Sequence, residues 1–368
     1  MSKKLKILFG AGGTGGHAFP AWATIGQCKE EGHECAFVTD KRAEKYDGGI
    51  DDVPVHVIRS GTPFSKNPFK IAKGFNEIRA GVQESMKLLE QEKPDAVLVF
   101  GGYPPFPLAV AAKIKGIPLV LHEQNGVLGK ANKWLARMAN AIASSVPQLK
   151  GLSKKMELRT TFTGNPVRDN IVALRDKPYP EIKEDSDLNI LITGGSQGAA
   201  VLSKVLPQAF AGLSPEHLKR IRVKQQCHKD FYESTRQDYK GTGVNVELTK
   251  FIPNMAEEIE KSHLFIGRSG ASTVTEQVVA GRPSIFVPYP NHKDQQQKLN
   301  AEFVVEAGGA WMILQDSFTP EAVREKIEEF LKNPEVLKTA AANARACGKP
   351  DAVHNLSKLV IDIAMAPK

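Results

Sequence analysis

The feature of this 368-residue chain that most restricts its fold is a unit of sequence used twice: an apolar run, a glycine-rich turn, then a helical stretch. "KILFGAGGTGGHAFPAWA" opens the chain at 6–23, and "NILITGGSQGAAVLSKVL" repeats the arrangement at 189–206. An apolar strand that ends in glycine and feeds a helix starts a βαβ crossover. Chains built of such units form parallel sheets with helices on both faces. Four further runs fit the first half: "ECAFVTD" (34–40), "DAVLVFGG" (95–102), "PLVLHEQN" (118–125) and "AIASSV" (141–146), the last read as its final strand. "RVKQQC", "NVELTKFI", "LFIGRSG" and "PSIFVPYP" supply the second half. Helices are expected over about 21–32, stopped by Gly32, and over about 70–92 and 106–116.

Around 159–187 the alternation breaks into prolines and clustered charge, which marks a hinge. The expected organisation is α/β, with a Rossmann-like domain at 1–165, a second at 166–345, and a terminal helix at 346–368. That helix carries an apolar stripe (Val353, Leu356, Leu359, Val360, Ile363) and is expected to pack back on the first domain. Apolar runs are too short to span a bilayer, and no signal peptide is read, so a cytoplasmic protein is expected. The four cysteines form no C-x-x-C pair and read as reduced thiols, mostly buried. Lys and Arg exceed Asp and Glu by 49 to 41, a modest excess that suits an anionic partner or merely a soluble basic enzyme.

Gly10, Gly12 and Gly15 satisfy the dinucleotide pattern G-x-G-x-x-G, and Asp40 ends the next strand where a ribose-binding acid would sit. An NAD(P)-dependent oxidoreductase is therefore one reading. Against it stand His17, placed where that fold packs small apolar residues, and the second glycine loop. Two such loops suit a donor and an acceptor that both carry phosphate. The stretch 266–301 is the most informative. After "GRSGAS" a helix begins near Ala271, whose N–H groups and dipole suit a diphosphate. Glu276 on that helix is placed to accept hydrogen bonds from two ribose hydroxyls. Gln296 and Gln297, in what reads as a polar loop, offer amides to sugar hydroxyls.

At these residues the chain resembles the MurG family, which transfers N-acetylglucosamine to a lipid-linked muramoyl pentapeptide in peptidoglycan synthesis. The matching stretches are "GGTGGHAFP", "GGYP", "HEQNGVLGKANKWLA", "TGNPVR", "GGSQGA", "FIPNMAE", "RSGASTVTE" and "HKDQQQKLNA", in order along nearly the whole chain. The resemblance implies a GT-B fold, with two Rossmann-like domains whose sheets face a deep cleft. It implies UDP-GlcNAc as donor and lipid I as acceptor, and no cofactor, metal or nucleic acid. Donor contacts carried over by motif are Thr14, Gly15, Gly16, Asn125, Arg168 and Ser196, the backbone of Ile252, then Ala271, Ser272, Thr273, Val274, Thr275, Glu276, Gln296 and Gln297. Gly12, Gly13, Gly102 and Tyr103 would face the acceptor diphosphate. One departure is "PPFP" after Tyr103. Proline has no N–H to donate, which puts the second loop's share of phosphate binding in question.

The family's reaction inverts the anomeric centre, so the acceptor 4-hydroxyl must lose a proton as it attacks. A histidine titrates near the working pH, and His17 ranks first as general base, then Glu123, then His122. The alternative for His17 is a structural role in orienting the loop. Asp185-Ser186-Asp187 lies in an acidic linker and reads as solvated rather than metal-binding. Other readings are a UDP-GlcNAc 2-epimerase and a non-catalytic nucleotide-sugar-binding subunit. A lipid-linked substrate calls for a membrane surface, and the resemblance implies peripheral attachment to the cytoplasmic face of the inner membrane. In 62–89, where basic residues exceed acidic ones by three, Phe75, Ile78, Val82, Met86 and Leu89 are assigned to a buried helix face. Phe64, Lys66, Phe69, Lys70, Ile71 and Lys73 are assigned to an anionic leaflet.

Overall fold

The computed structural model describes residues 3–12, 15–42, 50–62, 67–195 and 199–367. The chain divides into two units, Met1–Arg168 with Lys349–Lys368, and Asp169–Gly348. The division falls three residues beyond the boundaries at 165 and 345 read from the sequence.

The first unit runs β1 (Lys6–Gly10), α1 (Gly15–Glu30), β2 (Glu34–Thr39), β3 (Val55–Val57), α2 (Pro68–Glu92), β4 (Ala96–Val99), α3 (Phe106–Ile114), β5 (Leu119–Glu123) and α4 (Lys130–Met138). It continues with β6 (Ala141–Ser144), α5 (Lys154–Glu157) and β7 (Thr160–Phe162). Its seven strands are parallel in the order β3-β2-β1-β4-β5-β6-β7. Strands β4 and β5 are buried along their whole length, as helices on both faces of a parallel sheet require.

The second unit opens with α6 (Asp169–Val172), β8 (Leu188–Thr193), α7 (Ala200–Ala211), α8 (Pro215–Arg220), β9 (Ile221–Gln226), α9 (Tyr232–Tyr239) and β10 (Asn245–Thr249). There follow α10 (Met255–Lys261), β11 (Leu264–Gly267), α11 (Ala271–Ala280), β12 (Ser284–Phe286), α12 (Gln296–Glu306), β13 (Ala310–Met312), α13 (Pro320–Lys332) and α14 (Glu335–Cys347). Its six parallel strands follow the order β10-β9-β8-β11-β12-β13. Each sheet therefore reverses its strand order once, between β1 and β4 and between β8 and β11. Crevices at the carboxyl ends of strands at such points are where open α/β sheets bind ligands.

Several elements differ from the sequence reading. "AIASSV" is not the last strand of its half, because β7 pairs outside it, Ile142 opposite Thr160. β3, β7 and β13 are three-residue edge strands, too short to show a period. α1 begins at Gly15 rather than Ala21. Pro20 is tolerated on the second turn, where the N–H it lacks would have reached back to Gly16. On α2 the buried face is Gly74, Gly81, Ser85, Leu88 and Leu89, and Phe75 is 59% exposed. The reason is close approach: a Cβ on Gly81 would overlap the carbonyl oxygen of Arg59, and one on Gly74's neighbour Gly61 would stand 2.5 Å from the Gly74 carbonyl. Of the expected stripe, Phe75 is turned off this face, Ile78, Val82 and Met86 are half-buried, and Leu89 is buried.

Helix α15 (Ala352–Met365) buries Leu356 and Val360 completely in the core of the first unit, beside Ile7, Phe9, Trp22 and Phe100. Each such side chain contributes ~1.5–3 kcal/mol relative to exposure. The helix is pinned by Ser357, whose hydroxyl donates to Glu31 Oε2 (2.9 Å) and meets Cys28 Sγ at 3.2 Å. All four cysteines are free, three of them buried. Among the described residues no helix is long and apolar enough to cross a membrane, and no group of three or more His, Cys, Asp or Glu could hold a metal ion. Asp187 at the end of the acidic linker pairs with Arg222 at 3.2 Å.

Candidate active site

At the first unit's reversal point, β1 delivers the loop through Gly12 into α1, and β4 delivers Phe100-Gly101-Gly102-Tyr103 beside it. The two turns are fitted by glycine. A Cβ on Gly12 would come within 2.6 Å of Pro104, and one on Gly10 within 2.8 Å of Pro105. The "PPFP" departure thus packs pyrrolidine rings onto the bare backbone of the first loop. Proline costs little there because α3 is just starting, where N–H groups have no intrahelical partner.

His17 stands half-buried on the first turn of α1. Its Nδ1 lies 2.8 Å from the Phe100 carbonyl oxygen. A carbonyl can only accept, so Nδ1 carries the proton and Nε2 does not. Shielding of the ring lowers its pKa, opposed by the bond to Phe100, so the imidazole is held neutral near pH 7. Nε2 lies 3.9 Å from where a Cβ on Gly102 would stand. A neutral imidazole with its lone pair directed at the second glycine turn is what a general base there requires.

Glu123 is different. It ends β5, is 2% exposed, and accepts four hydrogen bonds: from Asn125 N (2.9 Å), Asn125 Nδ2 (3.3 Å), Gly129 N (3.1 Å) and Asn132 Nδ2 (2.6 Å). Burial raises its pKa and these donors oppose the rise. The carboxylate shapes the loop 125–132 from inside. His122 is fully buried, with Nε2 3.1 Å from the Gly164 carbonyl, and burial pushes its pKa down to about 4. Asn132 also accepts from Gly102 N at 3.0 Å. What Gly102 can offer an acceptor is therefore its bare Cα rather than its amide. Asn125 is half-buried and Tyr103 is beside the same turn. Thr14, Gly13 and Ser196 lie outside the described residues, as do Phe64 and Lys66.

At the second unit's reversal point, β11 leads through Arg268-Ser269-Gly270 into α11. Gly270 is the N-cap, with no side-chain cap bond, so the amides of Ala271, Ser272 and Thr273 keep no intrahelical partner. The first helical bond is Val274 N to Gly270 O, at 2.9 Å. Thr275 donates its hydroxyl back to Ala271 O (2.9 Å), and Glu276 is half-buried one position further on. The side chain of Ile252 is buried between an exposed Phe251 and Pro253. Gln296 and Gln297 do not sit in a loop. They open α12 after Gln295, whose φ is +50°. Gln296 Nε2 is 3.0 Å from His292 Nδ1, and Gln297 Oε1 accepts from Tyr289 N at 2.9 Å. A helix start was missed there because three glutamines carry no periodicity. Arg168 is exposed and is the last residue of the first unit before the crossing.

Glycosyltransferase family 28 models match the chain in two parts, the N-terminal domain over residues 7–144 and the C-terminal domain over 189–356. A curated relative from Erythrobacter litoralis is 42% identical over 95% of this chain and 88% of its own length. It is a UDP-N-acetylglucosamine–N-acetylmuramyl-(pentapeptide) pyrophosphoryl-undecaprenol N-acetylglucosamine transferase. The chain belongs to the MurG family. The crystal structure of Acinetobacter baumannii MurG superposes with a TM-score of 0.78 at 30% identity, covering 98% of this chain and all of that one. The two parallel sheets make this a GT-B-like fold. The UDP-GlcNAc 2-epimerase of Neisseria meningitidis, at 15% identity and a TM-score of 0.68 over 97% of this chain and all of that one, shares the fold alone.

Two residues of this MurG family member went unremarked in the sequence. Asn132 is one, hidden inside "HEQNGVLGKANKWLA". Arg268 is the other: it donates to Val287 O (2.9 Å), Pro288 O (3.0 Å) and Gln315 Oε1 (2.6 Å), and lies 5.5 Å from the Tyr289 ring. It braces the segment that runs on to the glutamines. Its position directly before a glycine turn at a strand end was the available signal.

Proposed function

We propose that this chain transfers N-acetylglucosamine from UDP-N-acetylglucosamine to the muramoyl 4-hydroxyl of an undecaprenyl-pyrophosphoryl pentapeptide, turning lipid I into lipid II. The observation that carries the reading is the 42% identity to a transferase of that name over 95% of the chain. In this reading the acceptor oxygen attacks the anomeric carbon in line, its proton passes to His17 Nε2, and the bond from carbon to UDP breaks with inversion. The first unit supplies acceptor groups through Gly12, Gly13, Gly102 and Tyr103. The second binds the donor: the α11 N-terminus, Ala271 to Thr275, takes the diphosphate, Glu276 the ribose, Ile252 the uracil, and Gln296 with Gln297 the sugar. Thr14, Gly15, Gly16 and Asn125 complete the donor contacts, and Arg168 and Ser196 stabilise the leaving diphosphate. Open amides at an uncapped helix start support the diphosphate assignment.

The test is to incubate the protein with labelled UDP-GlcNAc, with and without lipid I. Label appearing in a lipid product only when lipid I is present is the expected result. Epimerised sugar without acceptor, or no turnover with either, overturns it.

The membrane surface belongs to the same reading. Helices α2, α3 and α4 pack side by side. The first turns of α2 leave Phe69 (86% exposed) and Phe75 uncovered among exposed Lys70 and Lys73, and α4 leaves Trp134 uncovered among exposed Lys130, Lys133 and Arg137. With Ile71, and with Phe64 and Lys66 of the sequence, these suit peripheral attachment to an anionic leaflet at ~1 kcal/mol per basic residue. Co-sedimentation with anionic vesicles is expected to fall with salt and with Lys66, Lys70 and Lys73 changed to Glu. A triple variant that binds as well as wild type places the attachment elsewhere.

A further inference from the structure

The residue that connects the two halves of the first site is Asn132, which no motif reading assigned. It is 4% exposed. Its Nδ2 donates to Glu123 Oε2 at 2.6 Å, and its Oδ1 accepts from Gly102 N at 3.0 Å. The Gly101-Gly102 turn beneath it is left-handed at both residues, φ +76° and +79°, and a Cβ on Gly101 would stand 2.7 Å from Asn132 Oδ1. The side chain is thus laid flat on the turn, with one end held by a buried carboxylate and the other holding a peptide N–H. On the far side of the turn is His17, its Nδ1 bound to the carbonyl of Phe100, the residue just before it.

We propose that Glu123 and Asn132 form a clamp that sets the Gly101-Gly102 turn against His17, and that both are positioning residues for the acceptor, Glu123 acting through Asn132 rather than as a base. Each atom in the clamp has one possible role. An amide offers a donor on one side and an acceptor on the other; the Glu123 carboxylate accepts, and Gly102 N can only donate. Only an Asn in the orientation observed satisfies both. A fixed turn matters because a displacement of about 1 Å at a reacting group costs about 100-fold in rate. The proposal rests on the transferase reading, and its test separates the two.

Asn132→Asp is the sensitive probe. It keeps the oxygen that accepts from Gly102 and replaces the donor with a second carboxylate oxygen facing Glu123. Two carboxylates at that distance cannot both ionise without repulsion, and with one proton between them the bond is remade as O–H···O. Relative to wild type, kcat/KM for the lipid acceptor is expected to fall about 100-fold at pH 8 and to recover at least fivefold towards pH 6, while UDP affinity by calorimetry stays within about twofold. If Asn132→Asp does not fold, the paired Glu123→Gln, Asn132→Asp variant, with one charge and a donor restored between the two positions, is measured in its place. It is expected to be active with a flat profile relative to wild type. A loss in Asn132→Asp that is the same at every pH, or no loss, overturns the clamp, as does a paired variant that folds and is inactive. A loss beyond about 1000-fold in Glu123→Gln alone, with Asn132 intact, returns Glu123 to the role of base. Wild-type protein that fails to turn over lipid I overturns the transferase reading instead, whatever the variants do.

Discussion

The two reversal points are built from the same parts, and they are finished differently. Between β1 and β4 the backbone is tied down by side chains: His17 on the Phe100 carbonyl, Asn132 on the Gly102 amide, Glu123 inside its loop. Between β8 and β11 the start of α11 is left uncapped, and the side chains hold the backbone around it instead: Asn300 on the Ser269 carbonyl, Thr193 on the Gly195 amide and Arg268 on the Val287 carbonyl. A site that must move a proton needs one nitrogen held in one place with its proton on the other side of the ring. A site that must take an anion needs several amides with nothing on them. Under the proposed function this difference fits a first unit that moves the proton and a second that holds the diphosphate, and that fit can be broken at several points.

The largest effect is expected at His17. His17→Ala should lower kcat by ~10²–10⁴, which is ~2.7–5.5 kcal/mol of barrier, with UDP affinity nearly unchanged. A variant with normal kcat and weakened donor binding would move His17 to the other half of the comparison.

Acid should separate the halves next. His122 is held neutral in the fold down to about pH 4 and titrates near 6.5 when unfolded. The unfolded chain therefore binds the extra proton first, and stability is lost as pH falls from about 6.5 to about 4, ~3 kcal/mol over the window. His17 shifts in the same direction in the same unit, and His263 does so in the second. Hydrogen exchange at pH 5 against pH 7 should show β4 and β5 losing protection before β8 and β11. Equal loss in both sheets would contradict the assignment.

Donor binding is the third. Glu276→Ala should weaken UDP by ~1.5–3 kcal/mol through lost charge-assisted bonds, read by calorimetry. Unchanged UDP affinity removes the ribose role. The smallest effect is at Gln297, whose Oε1 already holds Tyr289 N. Gln297→Ala should leave UDP affinity within a few tenths of a kcal/mol and reduce discrimination against UDP-GalNAc by ~1 kcal/mol. A large change in UDP affinity would mean that the glutamine acts through the loop instead.

The central strands were legible because each is a short apolar run that ends in glycine or a polar turn, and the glycine loops declared the reversal points. The edge strands β3, β7 and β13 were not, since three residues carry no period, whereas the five-residue edge strand β10 was read in "NVELTKFI". The stripe on α2 misled for a different reason. Phe75 has the right spacing, but backbone approaches backbone at Gly81 against Arg59 and at Gly74 against Gly61, and packing by glycine leaves no hydrophobic signature. Among candidate site residues, those whose chemistry is unusual for their position, such as His17 after a glycine loop, stand out in the sequence. Asn132 could not: its value is that one end meets a carboxylate and the other an amide 30 residues away, and nothing local records that.

Helix α15 closes the first unit with residues that follow all of the second in the chain. Gly164 and Lys349 are neighbours there, close enough that a Cβ on the glycine would stand 2.7 Å from the lysine's. The chain thus leaves and re-enters its first core almost at the same spot, and the whole of 169–348 is, in topology, a loop. During synthesis the inserted unit leaves the ribosome complete while the enclosing one still lacks Leu356 and Val360. The later part of the sequence can therefore finish folding first, and the earlier part waits for its last helix with the faces of α1 and β4 uncovered.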